Sequence, residues 1–166
     1  MQGVAPPSGL IQVGTFLASG YFEEVKAMTD SPIPGSKRTI MVVDDNPEVV
    51  EVARITLEGK GFNVRCAYSG KDLFAGLEEQ NPDLILLDIM MPLMDGFEVL
   101  TRLQCNPATA SIPVILQTVK GQPEDVIEGY KKGAAYYITK PFTKDQLLKG
   151  INLVLGGDQG QLAGSP

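Results

Sequence analysis

Apolar residues fall into short runs that alternate with helical periodicity along most of the chain. The clearest run is Leu84-Ile85-Leu86-Leu87, which ends at Asp88. Four aliphatic residues without alternation predict a strand buried on both faces, as inside a parallel sheet. Thr39 to Val43 is a second run and ends at Asp44-Asp45. Phe62 to Ala67, Pro113 to Gln117 and Ala135 to Thr139 are three more, the last two closing at Thr118 and at Lys140-Pro141. Between them the apolar spacing turns helical. Asn46 and Pro47 open a helix carrying Val49, Val50, Ala53 and Leu57 and ending near Gly61. Ser69 opens one with Leu73, Phe74 and Leu77 on one side. Asp95 caps the next, through Phe97, Val99, Leu100 and Leu103, with Glu98 completing a capping box. Pro123 starts a helix with Val126, Ile127 and Tyr130 that stops at Gly133. Thr143 and Gln146 form a second capping box, ahead of Leu147, Leu148, Ile151, Val154 and Leu155.

Five strands alternating with five helices predict an α/β fold, a parallel sheet with right-handed crossovers and helices on both faces. In such sheets ligands collect at the carboxyl ends of the strands. Asp44, Asp45, Asp88, Thr118 and Lys140 all fall at those ends and are expected to meet on one edge. Taken singly, each has an ordinary reading: a turn aspartate, a strand threonine, a solvated lysine. Asp88 is not needed as a turn former, because Pro92 and Asp95-Gly96 already supply that chemistry. Clustered carboxylates require a proton or a cation. With oxygen donors and no histidine in the chain, a hard ion such as Mg²⁺ fits best. A backbone carbonyl just past Asp88 could add a ligand. With Thr118 and Lys140 alongside, the edge reads as a cradle for a phosphoryl group carried on Asp88.

Composition narrows the field. A net charge of −6 offers no basic face for nucleic acid. No apolar run reaches the length of a membrane span. Cys66 and Cys105 have no metal-binding spacing and read as reduced packing residues of a cytoplasmic protein. Met90, Met91 and Met94 read as packing and turn residues. Residues 1–36, rich in proline and glycine, read as a flexible leader, with a short helix possible over Tyr21 to Met28. Met28 heads Met-Thr-Asp-Ser-Pro and is expected to be the natural start, leaving 1–27 outside the native protein. Gly156-Gly157 closes the last helix, 37–156 form the folded domain, and 157–166 read as a tail.

Four segments carry a family resemblance: Val-Val-Asp-Asp at 42–45, Leu-Leu-Asp-Ile-Met-Met-Pro-Leu-Met-Asp-Gly at 86–96, Pro-Val-Ile-Leu-Gln-Thr at 113–118, and Tyr-Ile-Thr-Lys-Pro-Phe at 137–142. In order and spacing, residues 38–156 resemble a receiver domain of a two-component response regulator, of the stand-alone kind. The resemblance implies the flavodoxin-like strand order 2-1-3-4-5. It implies Asp88 as phosphoacceptor, and Asp45, Asp88 and the Met90 carbonyl as Mg²⁺ ligands, with Asp44 acting through water. Thr118 and Lys140 correspond to the residues that engage the phosphoryl group, Tyr137 to an aromatic switch, and Lys140–Pro141 to a cis peptide. The implied partners are a sensor histidine kinase or a histidine phosphotransfer protein, and a downstream protein reading the face formed by 123–155. The implied state is a monomer or a phosphorylation-dependent dimer. Val119 departs from the pattern: the residue after the switch hydroxyl is usually small, and a β-branched side chain there crowds access to the phosphoryl group. Two other readings fit less well. A haloacid-dehalogenase-type phosphatase expects an aspartate where Met90 stands. A degenerate receiver acting only as a scaffold would lack site residues that are all present here.

Overall fold

The computed structural model describes residues 37–119 and 123–156. The expectations for residues 1–36, including Tyr21 to Met28 and the start at Met28, and for 157–166 lie outside the described residues.

Five strands and five helices alternate: β1 (Thr39–Val43), α1 (Pro47–Glu58), β2 (Asn63–Ala67), α2 (Gly70–Glu79), β3 (Leu84–Asp88), α3 (Gly96–Cys105), β4 (Val114–Thr118), α4 (Pro123–Lys131), β5 (Tyr136–Thr139) and α5 (Lys144–Val154). All strand pairs are parallel, in the order β2-β1-β3-β4-β5, as the sequence predicts. Every residue of β3 and of β4 is buried, which accounts for their unbroken apolar runs.

Successive side chains of a strand point to opposite faces, so each strand feeds two cores. Met41, Val43, Ile85, Leu87, Val114 and Leu116 pack beneath α2 and α3 with Leu73, Leu100 and Leu103. Ile40, Val42, Leu84, Leu86, Ile115 and Ile138 pack against α1 and α5 with Val50, Leu57, Leu147 and Ile151. Asp44 and Asp88 continue the second series by two residues each and so rise on the α1/α5 side.

The helix starts follow their capping residues. Asn46 accepts from the Glu48 amide at 3.0 Å, and Ser69 from the Asp72 amide at 3.1 Å. Thr143 and Gln146 close a full capping box. The box at α3 is only half formed: Asp95 accepts from the Glu98 amide, but the Glu98 carboxylate turns to Arg102 at 2.7 Å. An ion pair one turn along the helix competes for that side chain.

Two further expectations are corrected. Ile127 and Tyr130 of α4 are exposed, and the buried position of that helix is Gly129, against Leu116 and Tyr137. Cys66 and Cys105 are exposed free thiols, not packing residues. Cys66 lies on the edge strand β2, where only one neighbour covers the sheet, and partial burial raises its pKa. Of the loop methionines, Met91 is buried and Met94 partly so, while Met90 is an exposed turn residue, as expected of packing and turn positions.

Candidate functional site

At the carboxyl edge of the sheet, Asp44, Asp45 and Asp88 each present a carboxylate oxygen, all within 4.8 Å of one another. Asp44 and Asp88 are buried and Asp45 is exposed, so the cluster has a dry floor and a wet rim. Lys140, one residue past β5, reaches over β4 to this cluster. Its ammonium donates to Asp44 Oδ2 and, at 3.1 Å, to Asp88 Oδ1. The other Asp44 oxygen accepts from the Asn46 amide at 2.9 Å, tying the cluster to the start of α1.

Burial pushes the Asp88 carboxyl above its usual value. The Lys140 ammonium pulls it back, Asp44 raises it again, and the Met90 backbone N–H lowers it. Among the described residues, two buried carboxylates thus share one ammonium, fewer positive charges than negative.

The loop after β3 is drawn tightly against Asp88. The Gly96 amide donates to the Ile89 carbonyl at 2.8 Å. A Cβ on Gly96 would stand 2.4 Å from the Asp88 carbonyl oxygen and 2.7 Å from Ile89 Cα, so only glycine fits. Leu93, wholly exposed, holds a left-handed φ of 69° at the outer bend of this loop. The Lys140–Pro141 peptide is cis, as the resemblance implies.

Thr118 is buried at the end of β4. Tyr137 packs on the α2/α3 side of the sheet, and its hydroxyl is buried without a well-formed hydrogen bond. Burial holds that phenol above its usual value, with nearby Thr118 drawing it down and Asp125 adding to the rise. The ring is partly buried against this core, with its hydroxyl enclosed.

Beside the cluster opens a cavity of about 430 Å³ lined by Asn46, Glu48, Val49, Val52, Val119, Lys140, Pro141 and Phe142. Val119 is 59% exposed on its wall, so the β-branched side chain narrows the approach from the side and does not seal it.

The structure thus brings together Asp44, Asp45, Asp88 and Lys140, with Thr118 at the end of the strand between β3 and β5. Met90 lies in the loop with its side chain in solvent and its N–H towards Asp88. Two residues of consequence escaped the sequence reading. Gly96 passed as turn chemistry, although the pressure on it comes from the Asp88 carbonyl. Gln117 passed as a strand residue, although an amide inside a run as apolar as Val114-Ile115-Leu116 signals a special place.

Comparison with known proteins agrees with this geometry. The chain is 40% identical over 116 residues to the DNA-binding dual master transcriptional regulator RpaA of Synechocystis, covering 70% of this chain and 48% of that one. It is 40% identical over 118 residues to protein PilH of Pseudomonas aeruginosa, covering 71% of this chain and 98% of that one. The chain spans about half the length of most of the curated relatives it matches first, PilH excepted. The solved structure of the chemotaxis protein CheY4 of Vibrio cholerae aligns with a TM-score of 0.69 at 28% identity, covering 72% of this chain and 99% of that one. The family model for the response regulator receiver domain matches residues 40–152, and the chain belongs to that family.

Proposed function

We propose that residues 37–156 act as a phosphoacceptor switch in which Asp88 takes a phosphoryl group from a phosphohistidine of a sensor kinase or a histidine phosphotransfer protein. One observation carries this reading: the Lys140 ammonium contacts both Asp44 and Asp88 inside a group of three carboxylates at the carboxyl edge of the sheet. An Asp88 oxygen attacks phosphorus, the P–N bond to imidazole breaks, and an acyl phosphate forms. Lys140 balances charge on the transferred group, and the Thr118 hydroxyl donates to one of its oxygens.

The donor set suits a hard cation. Its ligands are carboxylate oxygens, two of them buried and sharing a single ammonium among the described residues. Asp45, Asp88 and the Met90 carbonyl would hold Mg²⁺, with Asp44 joining through water. When bound, the ion neutralises phosphoryl oxygens and lowers the cost of bringing a dianion to the cluster.

Output follows from the same group. A dianion on Asp88 draws the Thr118 hydroxyl towards it, and Tyr137 is stabilised in its partly buried position. The face from 123 to 155 then changes its binding to a protein partner or to a second receiver. Exposed Ile127, Tyr130 and Leu153 supply apolar surface on the two helices of that face. The setting proposed is the cytoplasm; separately, no helix among the described residues is long and apolar enough to cross a membrane.

The test is Phos-tag electrophoresis after incubation with acetyl phosphate, with and without Mg²⁺. Labelling is expected only with Mg²⁺, and Asp88→Asn and Asp45→Ala are expected to abolish it. Thr118→Ala is expected to keep labelling while losing the amide chemical-shift changes across 123–155 that beryllofluoride induces in the unmodified protein. Undiminished labelling of Asp88→Asn overturns the site assignment.

A further inference from the structure

Among the described residues, the buried side-chain nitrogen and oxygen atoms without a hydrogen-bond partner belong to Gln117, at both ends of its amide, and to the Tyr137 hydroxyl. Gln117 is 0% exposed. A buried amide unpaired at both ends opposes folding in a way that an apolar residue of the same size would not. Such a group in a folded protein calls for a reason.

Its position supplies one. In the parallel register Gln117 lies opposite Asp88 of β3 and Ile138 of β5. Leu116 belongs to the α2/α3 core and Ile115 to the α1/α5 core, so alternation turns Gln117 to the α1/α5 side. Asp88 rises on that same side. Lys140 stands beyond β5, and its ammonium meets Asp88 of β3 and Asp44 of β1. The strand order therefore obliges its stem to cross β4, and Gln117 is the last residue that β4 presents on the crossed face. The ammonium has three N–H groups. Two are given to Asp44 and Asp88, and the third has no hydrogen-bond partner among the described residues.

We propose that Gln117 is a positioning residue of the phosphoacceptor site, its amide bridging Lys140 to Asp88 in the phosphorylated state. A cation and a phosphoryl group draw the carboxylates of Asp44 and Asp88 away from the ammonium. This rearrangement brings the ammonium to the Gln117 oxygen, which accepts an N–H of Lys140, and the Gln117 NH₂ donates to the Asp88 side chain. The unpaired amide of the resting state is the other half of this exchange: its bonds are withheld until the site is loaded. The inference rests on the reading of Asp88 as phosphoacceptor.

The experiment compares the unmodified protein with Gln117→Met, which keeps length and removes both hydrogen-bonding atoms, and with Gln117→Leu. Each is titrated with beryllofluoride in the presence of Mg²⁺, and its unfolding temperature is measured without them. The variants are expected to melt higher than the parent, having lost an unsatisfied amide. They are expected to bind beryllofluoride about tenfold more weakly, the loss of one net hydrogen bond to a charged group. In the parent, the Gln117 side-chain NH₂ resonances are expected to shift and gain protection from exchange on loading. Higher melting with unchanged beryllofluoride affinity overturns the proposal, as do unmoved NH₂ resonances in the loaded parent, which decide the matter even if neither variant folds. Failure of the parent itself to bind beryllofluoride would instead overturn the reading of the site.

Discussion

Replacing Lys140 by methionine tests the electrostatics of the site most directly. The change keeps the apolar stem and removes the charge that two carboxylates share, their side chains being 1% and 5% exposed. Removing one partner of a buried pair costs about 3–5 kcal/mol, because the remaining charge stays uncompensated. Lys140 is itself 14% exposed and Asp45 opens the cluster to solvent, which argues for the lower end, about 3 kcal/mol near pH 7.5. For a domain of this size that corresponds to a fall of roughly 10–15 °C in melting temperature. The loss should depend on pH. Asp88 already has a raised pKa in the folded state, and removing the ammonium raises it further. A carboxyl with a raised folded pKa binds more protons folded than unfolded. Its favourable contribution is therefore full below the unfolded pKa and is lost as pH rises through the folded one. Urea unfolding of parent and variant, followed by circular dichroism in EDTA between pH 5 and 8, measures this. The gap between the two proteins should narrow as pH falls, and Mg²⁺ at pH 7.5 should restore much of the difference. A variant that loses less than about 1 kcal/mol, or loses equally at pH 5 and 7.5, refutes the argument that Lys140 neutralises a buried carboxylate pair.

Three other outcomes are expected. Gly96→Ala should destabilise the fold by about 2 kcal/mol or more and slow labelling, since its Cβ meets backbone that cannot yield cheaply; urea unfolding and Phos-tag gels check both. Val119→Ala should shorten the phosphoryl lifetime several-fold by widening the approach from the cavity, read as loss of the shifted Phos-tag band after donor removal. A chain beginning at Ser36 should unfold cooperatively within a few degrees of the full chain; a large loss of melting temperature would show that 1–36 pack on the domain.

The order of the elements was legible because a doubly covered parallel sheet leaves an unmistakable alternation of solid apolar runs and helical spacing. The site was legible for a topological reason: parallel strands deliver all their carboxyl ends to one edge, so Asp44, Asp88 and Thr118 could be gathered without knowing any side-chain position. Periodicity failed at α4. Ile127 and Tyr130 look like a core face, but a helix that seats Gly129 against Leu116 turns its larger residues outward. Composition failed at the cysteines: Cys66 lies on an edge strand, which exposes what an inner strand would bury, and Cys105 ends α3 with its thiol exposed. Contacts between residues far apart in sequence, such as the Asp88 carbonyl against the place where Gly96 would carry a Cβ, leave no periodic trace at all.

The ammonium that joins Asp44 to Asp88 also bears on how the protein comes into being. It arrives from residues 96 and 52 positions further along the chain than its two partners. Closing such long loops is entropically costly and comes late in folding. During synthesis the first three strands emerge well before β5. A nascent chain can therefore assemble the sheet around Asp88 while the aspartates still repel one another with no counter-charge. If Asp88 is the phosphoacceptor proposed above, its competence is thereby coupled to completion of the sheet: an unfinished or locally unravelled chain displays Asp88 but lacks the charge that would let it hold a phosphoryl group.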